Sequence, residues 1–400
     1  MLSKPLPDAD FPGKRFTVND HNIRVVSADE DRLNAVLNVI ASAKSTLRMF
    51  IYIFRSDTSG SEVLAALVAS AQRGVRVQLI IDSFGSSETS HEFFDPLVTA
   101  GGDYRCFSSK WNLGYAIRNH QKILIADQQH AVIGGFNITD YYFGRAGDES
   151  WEDFGIIISG PKVSELARYY DSLHDMTNSD GGVKFRKLRR VIRAWKPGDG
   201  PVQWLLGGPT NRISPWALRL KKELETVRQL HIVSAYFSPS QSILRRIAKV
   251  TRGGGSQIIL AGKTDNGATI GAARLLYKYL LKRGARIFEF QTRPLHMKLL
   301  VLDDACYIGS SNLDTRSLFI NMEIMVRIED AALAAHLRGI IQDMADHSEE
   351  QTLALHRSRD GFFVRLKWAL SYLLVNTVDY TIGRRIKFSL MFNRRAKQLP

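Results

Sequence analysis

Two short segments, HQKILIAD at residues 120–127 and HMKLLVLD at residues 296–303, decide how this chain folds. Each has a histidine, a lysine two residues later and an aspartate five residues after the lysine. The residues between the lysine and the aspartate are apolar, which predicts a buried strand. Because side chains alternate between the two faces of a strand, the histidine and the lysine of each segment lie on one face.

A glycine-containing segment follows each of these strands after a short turn. It reads GGFN at residues 134–137 and GSSN at residues 309–312. We interpret each segment as the partner strand of a hairpin, which would bring Asn137 and Asn312 beside the two His-Lys pairs. The second turn has five residues before its glycine and the first has six, which tightens the second hairpin without removing a polar side chain.

The surroundings of the two segments also repeat, with a period of about 180 residues, too long for a solenoid. In each half an apolar strand, an amphipathic helix and a second apolar strand precede the histidine. In the first half they are 47–54, 59–74 and 75–82, and in the second 228–237, 241–250 and 256–262. Alternating strands and helices predict an α/β fold with a mainly parallel or mixed sheet flanked by helices. The chain of 400 residues is long enough for two such domains.

Changes in composition suggest where the domains end. We predict a first domain over residues 1–180, a basic linker over 181–205, a second domain over 206–355 and a basic amphipathic tail over 356–400. The linker holds seven Lys or Arg between residues 184 and 196, followed by a stretch rich in proline and glycine.

Charge and cysteine content restrict the partners. The net charge of +14 favours an anionic partner, which leaves nucleic acid, an anionic membrane surface and phosphate-bearing substrates open. Cys106 and Cys306 form no metal-binding pattern, so we expect no metal and no cofactor. The N-terminal stretch lacks the apolar core of a signal peptide, and no uninterrupted apolar run reaches 18 residues. We therefore predict neither a signal peptide nor a spanning helix.

The doubled HxKxxxxD segment, each copy followed by GxxN, resembles the signature of the phospholipase D superfamily. Further segments are similar to the bacterial cardiolipin synthase branch, namely YIFRSD at 52–57, QRGVRVQLIIDSFGS at 72–86, GGFNITDYY at 134–142, WEDFGIIISGP at 151–161 and GSSNLDTRS at 309–317. The resemblance implies two similar domains packed with pseudo-twofold symmetry. It also implies a phosphatidyltransferase that makes cardiolipin from phosphatidylglycerol through a covalent phosphohistidine.

The chemistry of phosphodiester transfer assigns roles to these residues. Two histidines supply a nucleophile and a proton donor, and an ordinary pKa of about 6.5 lets one be neutral and the other protonated near neutral pH. The resemblance makes His120 the nucleophile and His296 the general acid, although the residues alone leave the roles exchangeable. Lys122 and Lys298 would hold the phosphate charge. Hydrogen bonds to the phosphate are expected from Asn137, Asn312 and Ser310.

Four acidic residues complete the predicted site. Glu323 matches the position at which the family orients a histidine, and Asp153 occupies the equivalent strand after the first copy. Asp127 and Asp303 belong to the catalytic motif, but a structural role that holds its backbone is the expectation.

The tail suggests where the enzyme works. From residue 361 to 400 it has eight Lys or Arg against one acid, interleaved with Phe362, Phe363, Leu366, Trp368, Leu370, Leu373 and Leu374. This pattern favours a helix on an anionic bilayer, and a helix packed on the second domain is the alternative. We predict anionic phospholipid substrates and peripheral attachment to the cytoplasmic face of the inner membrane, and no nucleic-acid partner.

Three other functions remain open on the sequence. A hydrolase would release phosphatidic acid if water replaced the lipid acceptor. A nuclease would use the same paired motif, and the positive charge would suit it. A binding module on a retained scaffold is disfavoured because His, Lys and Asn are intact in both copies.

Overall fold

The structure is a computed structural model that describes residues 11–108, 117–177, 185–210, 213–264 and 266–377. The predicted basic residues beyond Thr377 lie outside these ranges. No helix within the described ranges is long and apolar enough to cross a bilayer.

The first half forms an eight-stranded sheet. Its strands are β1 (Lys14–Val18), β2 (His21–Val26), β3 (Thr46–Ile51), β4 (Arg76–Asp82), β5 (Asp103–Phe107), β6 (Ile123–Ala126), β7 (His130–Gly134) and β8 (Gly155–Ser159). They are arranged in the order β1-β2-β8-β7-β6-β3-β4-β5.

The second half repeats this architecture. Its strands are β9 (Val202–Gly207), β10 (Leu230–Ser234), β11 (Phe237–Ser238), β12 (Gln257–Ala261), β13 (Arg286–Phe290), β14 (Lys298–Leu302), β15 (Ala305–Gly309), β16 (Leu313–Asp314), β17 (Glu323–Glu329) and β18 (Ser348–Gln351). Eight of them form a sheet in the order β18-β13-β12-β10-β14-β15-β17-β9, and β11 pairs with β16 separately.

Helices cover the faces of both sheets. They are α1 (Asp29–Ser42), α2 (Thr58–Gln72), α3 (Asp95–Thr99), α4 (Lys162–Met176), α5 (Phe185–Ala194), α6 (Pro215–Glu223), α7 (Gln241–Thr251), α8 (Gly267–Leu281), α9 (Thr315–Phe319), α10 (Ala331–Asp346), α11 (Leu353–Arg359) and α12 (Phe362–Thr377). The prediction of two similar α/β units flanked by helices is therefore confirmed.

Parallel pairing is less extensive than the sequence suggested. It is confined to β3, β4 and β5 in the first sheet and to β10, β12 and β13 in the second. The helical crossovers α2, α3, α7 and α8 allow these parallel pairs. The motif strands β6–β7 and β14–β15 are instead joined by tight turns and must be antiparallel. Both sheets are consequently mixed.

Three apolar cores hold the layers together. The outer face of the first sheet packs on α1, α2 and α3, and the outer face of the second packs on α6, α7 and α8. The inner faces share one core with α4, α5 and α10, in which Tyr170 and Trp204 are fully buried. Burial of this shared core makes the two halves one packed body.

Two short backbone bridges join the halves beside the motif strands. Asn119 pairs in parallel with Met322, and Leu295 pairs in parallel with Glu152. Asn119 and Leu295 each directly precede a motif histidine, so the two bridges are equivalent when the halves are exchanged. This relation agrees with the predicted pseudo-twofold arrangement.

The structure differs from the predicted domain boundaries in two segments, the linker and the tail. Residues 181–205 include α5 and most of β9, and β9 pairs with β17 as the edge strand of the second sheet. In the predicted tail, α12 packs along α8, where Trp368 is buried and stacks on His356 with ring centroids 5.2 Å apart. Trp368 therefore belongs to the side of α12 that faces the protein.

Candidate active site

Each motif histidine is held at its backbone by the opposite half of the chain. The amide of His120 donates to the carbonyl of Met322 at 2.9 Å, and the amide of His296 donates to the carbonyl of Glu152 at 2.8 Å. Because the histidines directly precede the hairpins β6–β7 and β14–β15, these bonds bring both hairpins to the contact between the halves.

The two imidazoles meet at that contact. Their ring centroids are 6.4 Å apart, with an angle of 61° between the ring planes. His296 is almost completely buried, and the side chain of His120 keeps 14% of its surface exposed. One phosphate between two such rings can be approached from opposite sides.

Each imidazole contacts a carboxylate that comes from the other half. Nδ1 of His120 lies 3.1 Å from Oε2 of Glu323, and Nδ1 of His296 lies 2.6 Å from Oδ2 of Asp153. Both carboxylates are fully buried. A carboxylate at Nδ1 favours the tautomer with its proton on Nδ1, which leaves Nε2 available for a reacting group.

The motif lysines lie beside their own histidines. Nζ of Lys122 donates to the carbonyl of His120 at 2.7 Å, and Nζ of Lys298 donates to the carbonyl of His296. Burial lowers the pKa of Lys122 to about 7, although Glu323 opposes this shift. Among the described residues no group of His, Cys, Asp and Glu side chains is arranged to hold a metal ion.

Both predicted asparagines lie at the ends of the hairpins and are buried. Oδ1 of Asn137 accepts from the amide of Ile53 at 3.1 Å, and its Nδ2 donates to the hydroxyl of Tyr142 at 3.1 Å. Oδ1 of Asn312 accepts from the amide of Tyr236 at 3.3 Å. These bonds orient each side-chain amide and tie the hairpin to the loop after the neighbouring strand.

Ser310 contacts one of these carboxylates. Its hydroxyl donates to Oε2 of Glu323, so it supports the carboxylate that holds His120. Gly135 occupies the same motif position in the first half, and a Cβ added there would lie 2.3 Å from Oδ1 of Asp153. The first half therefore needs glycine where the second half uses serine, because the shorter aspartate lies closer to the hairpin.

The environment lowers the pKa of both histidines. Burial and then Lys122 lower the pKa of His120, against the opposing effect of Glu323. Burial and then Lys298 lower the pKa of His296, against the opposing effect of Asp153. Both shifts favour the neutral imidazole before an anionic phosphate binds.

The motif aspartates lie at the far ends of β6 and β14 from the histidines. The carboxylate of Asp127 accepts from the amides of Lys44, Ser45 and Thr46 at 2.7 to 2.8 Å, and Asp303 accepts from the amide of Gln229 at 2.9 Å. These bonds fix the start of the neighbouring strand. Their placement favours the structural role expected for both aspartates of the motif.

Comparison with known proteins identifies the family. The family described as "Cardiolipin synthase, PLD-like domain" matches residues 36–174 and 220–345. The chain belongs to this family. Cardiolipin synthase B of Escherichia coli (strain K12) is 30% identical over 346 residues, which are 83% of this chain and 83% of that protein. Cardiolipin synthase of Clostridium perfringens (strain 13 / Type A) is 30% identical over 320 residues, 75% of this chain and 65% of that protein.

A solved structure supports the fold independently. Phosphatidylserine synthase of Haemophilus influenzae Rd KW20 superposes with a TM-score of 0.69 and 14% identity, covering 93% of this chain and 98% of that chain. The family match and the cardiolipin synthase relatives make this chain a phospholipase D-type phosphatidyltransferase.

Aromatic rings surround the histidines, and the sequence motifs did not reveal them. The ring of His296 lies 5.0 Å from that of Tyr142 and 5.1 Å from that of Trp151, and the ring of His120 lies 4.9 Å from that of Tyr52. These rings exclude water from the imidazoles and limit their rotation. The signal available in the sequence was only that aromatic residues flank the motif strands.

A network of arginines supports His296 and was also missed. Arg32, which is completely buried, donates to the carbonyls of Tyr142, Trp151 and Asp153 at 2.9 to 3.2 Å. It therefore holds both aromatic neighbours of His296 and its carboxylate at their backbones. These contacts join residues that are more than 100 positions apart, so spacing along the chain gave no indication of them.

Arg293 extends this network from the other half. Its Nε donates to Glu152 at 2.6 Å and its Nη1 donates to Asp29 at 2.7 Å. The carbonyl of Glu152 is the group that accepts from the amide of His296. Arg293 thus fixes the segment on which the backbone position of His296 depends.

We expect Arg293→Ala to lower kcat about 10-fold while KM stays within twofold, because a small displacement of His296 affects the reaction more than binding. Arg293→Lys should recover most of kcat, since it keeps a cation between the two carboxylates. Steady-state kinetics with the thermal midpoint of each variant would test this. An equal loss of kcat in Arg293→Lys would argue against a positioning role.

We expect Asp127→Asn to lower the free energy of unfolding by about 1–3 kcal/mol and to change kcat/KM less than threefold. Burial raises the pKa of Asp127, but the bonds from Thr46, Lys44 and Ser45 outweigh it, so its pKa is lowered. The stabilisation is therefore present at neutral pH and is lost as pH falls below about 4. Urea unfolding across pH would measure it, and lost activity at unchanged stability would restore the catalytic role.

Proposed function

We propose that the enzyme makes cardiolipin and glycerol from two molecules of phosphatidylglycerol, with a phosphatidyl group carried on His120. The observation that carries this proposal is the pair of imidazoles 6.4 Å apart, each with a buried carboxylate from the other half at Nδ1. The cardiolipin synthase relatives support the choice of product.

In the first step Nε2 of neutral His120 attacks the phosphorus of one phosphatidylglycerol. A P–N bond forms and the bond from phosphorus to the glycerol oxygen breaks, while Nε2 of His296, which takes up a proton from solvent as the phosphate binds, gives that proton to the glycerol oxygen. Glycerol leaves. The burial and lysine charge that lower the pKa of His120 keep its lone pair available, and the incoming phosphate monoanion raises the proton affinity of His296.

In the second step neutral His296 takes a proton from a hydroxyl of the second phosphatidylglycerol. That oxygen attacks phosphorus, the P–N bond breaks and cardiolipin leaves, which returns His120 to its neutral form and His296 to its protonated form. The cycle converts two molecules of phosphatidylglycerol into one cardiolipin and one glycerol, and the proton that His296 took up from solvent returns to solvent when the product leaves.

The lysines and asparagines would stabilise the charge on the transferred phosphate. Lys122 and Lys298 lie beside the histidines. A cation at this position stabilises the transferred phosphate most strongly when the non-bridging oxygens carry the most negative charge. The amide groups of Asn137 and Asn312 are positioned at the adjacent hairpin ends. Glu323 and Asp153 would hold the histidine rings, with the hydroxyl of Ser310 supporting Glu323.

The test uses purified protein and phosphatidylglycerol vesicles, with lipid products followed by mass spectrometry beside His120→Ala and His296→Ala. The expected result is cardiolipin plus free glycerol, lost in both variants. Phosphatidic acid without cardiolipin would replace the proposal with a hydrolase. No turnover, with phosphatidylethanolamine also offered as a co-substrate, would overturn the lipid reaction.

We further propose that the enzyme attaches peripherally to the cytoplasmic face of the inner membrane through its C-terminal segment. Of the large apolar side chains exposed in the described part of the chain, all but Val98 and Leu218 lie on α12. The opposite side of that helix packs on α8, so its outer side is free to enter a bilayer interface. Helix α12 also contacts β11, which pairs with the strand directly after Asn312.

We expect the double variant Leu370→Ser and Leu374→Ser to weaken binding to vesicles about 10-fold or more, because both side chains would enter the acyl boundary. The matched control is Val98→Ser with Leu218→Ser, which removes two exposed apolar side chains elsewhere. Vesicle co-sedimentation measures the binding. Equal loss in both double variants, or in neither, would contradict attachment through α12.

A further inference from the structure

The exposed side of helix α5 presents a groove lined with arginine. The groove has a volume of about 500 Å³ and is lined by Arg186, Arg189, Arg190, Arg193 and Ala194. The other side of the helix is anchored, because Leu188 and Ile192 are completely buried in the core shared by the two sheets. The arginines are thus carried on a fixed helix and not on a loose linker.

Acidic partners of these arginines are not found among the residues that the structure describes. Half-buried arginines elsewhere behave differently: Arg246 of α7 pairs with Glu225, and Arg274 of α8 pairs with Glu289 of β13. Four like charges on one short helix repel one another unless an anion lies between them. The groove is therefore suited to an anionic ligand.

The groove is connected to the His120 side of the active site. Nε of Arg189 donates to the carbonyl of Pro209 at 3.2 Å, and the side chain of Ile192 lies so close to Gly208 that a Cβ there would approach it to 2.3 Å. The preceding residue, Gly207, pairs with Glu323, the partner of His120. Helix α5 therefore packs against the loop after β9. This loop begins beside Glu323, the carboxylate that contacts His120.

We infer that this groove binds the phosphate headgroup of an anionic phospholipid in the bilayer, on the His120 side of the active site. Guanidinium groups match phosphate oxygens by paired hydrogen bonds, and each basic residue near an anionic surface strengthens binding roughly fivefold. The inference rests on the proposed lipid reaction and deepens it. It assigns the groove to recruitment of phosphatidylglycerol at the site entrance.

The test compares a variant with two charges reversed in the groove and a control variant with two charges reversed elsewhere on the surface. The groove variant is Arg186→Glu with Arg190→Glu. The control is Arg76→Glu with Lys282→Glu, two exposed residues at the start of β4 and at the end of α8, with the same change in net charge. A third variant, Arg186→Lys with Arg190→Lys, keeps the charge.

Binding is measured first, in the His120→Ala background so that no turnover alters the vesicles. Vesicles of phosphatidylcholine with and without phosphatidylglycerol are compared by co-sedimentation at physiological salt. The groove variant should lose about 10-fold or more of its affinity for the phosphatidylglycerol vesicles. The control should stay within threefold of the parent, and the lysine variant should bind less tightly than the control but more tightly than the groove variant, because lysine keeps the charge and loses the paired hydrogen bonds. This arm is independent of whether cardiolipin is made.

Kinetics in the active background follow. The groove variant should raise KM for phosphatidylglycerol about 10-fold and leave kcat unchanged, because the groove recruits lipid and takes no part in the reaction. Equal binding by the groove and control variants would overturn the inference, and so would a fall in kcat at constant KM. Arginine-dependent binding of a DNA oligonucleotide, without vesicle binding, would replace the lipid with nucleic acid.

Discussion

His296→Asn is expected to accumulate a phosphatidyl group on His120 when it is given a phosphatidyl ester with a p-nitrophenol leaving group. This leaving group departs without a proton, so the first step no longer requires the acid. The second step still requires a base to take the proton of the acceptor hydroxyl, and loss of such a base slows a reaction about 10²–10⁴-fold. Formation therefore outpaces decay, and the adduct persists.

Mass spectrometry of the intact variant and of its peptides would measure the adduct and its site. The expected site is the peptide that contains His120, and the adduct should be lost in acid because it holds a P–N bond. The double variant His120→Ala with His296→Asn is the control and should remain unmodified. An adduct on His296 in the reciprocal variant His120→Asn would exchange the two roles. No adduct in either variant would indicate direct displacement without a covalent intermediate.

The local part of the site could be predicted because it follows from short-range geometry. Each lysine is two residues from its histidine at the start of a motif strand and contacts the carbonyl of that histidine. The tight turns near Asp127 and Asp303 return the chain to Asn137 and Asn312. These relations involve residues fewer than 20 positions apart. They do not depend on how the two halves pack against each other.

The relations between the halves could not be predicted from spacing. Glu323 and Asp153 were identified as carboxylates that orient histidines, but only packing of the halves shows that each contacts the histidine of the other half. Gly135 is explained within the first half, because a side chain at this motif position would not fit beside Asp153. A Cβ at this position would collide with Asp153, the carboxylate of the opposite half's histidine.

Burial explains the remaining differences. The charge states of the histidines were predicted from ordinary pKa values, whereas the folded protein surrounds both rings with apolar groups and lysines that disfavour imidazolium. Likewise Trp368 fits an apolar helix face in the sequence, but α8 covers it. Pattern identifies which residues are apolar, and tertiary contacts decide which of them remain exposed.

Each histidine contacts a carboxylate from the other half, and this arrangement leads to a second prediction. Two similar substitutions should slow different steps of the reaction. Glu323→Gln should slow formation of the phosphatidyl adduct by about 10²–10⁴-fold, whereas Asp153→Asn should slow its decay by a similar factor. A neutral amide in place of either carboxylate can donate to Nδ1. It then favours the tautomer with its proton on Nε2, which deprives His120 of its nucleophilic lone pair and His296 of its capacity to act as a base.

Rapid-mixing kinetics with the p-nitrophenyl ester would separate the two steps. The burst of p-nitrophenol reports adduct formation, and the steady rate after the burst reports decay. Glu323→Gln should lose the burst, and Asp153→Asn should keep the burst but lose the steady rate. Thermal midpoints of both variants would show that the compared proteins are folded.

The opposite assignment of burst and steady rate would mean that each carboxylate acts within its own half. The geometry argues against that outcome, because the 3.1 Å and 2.6 Å contacts at Nδ1 both cross between the halves. Each step of the reaction would then depend on a residue from both copies of the repeat, which gives a physical reason why neither half alone would form a complete site.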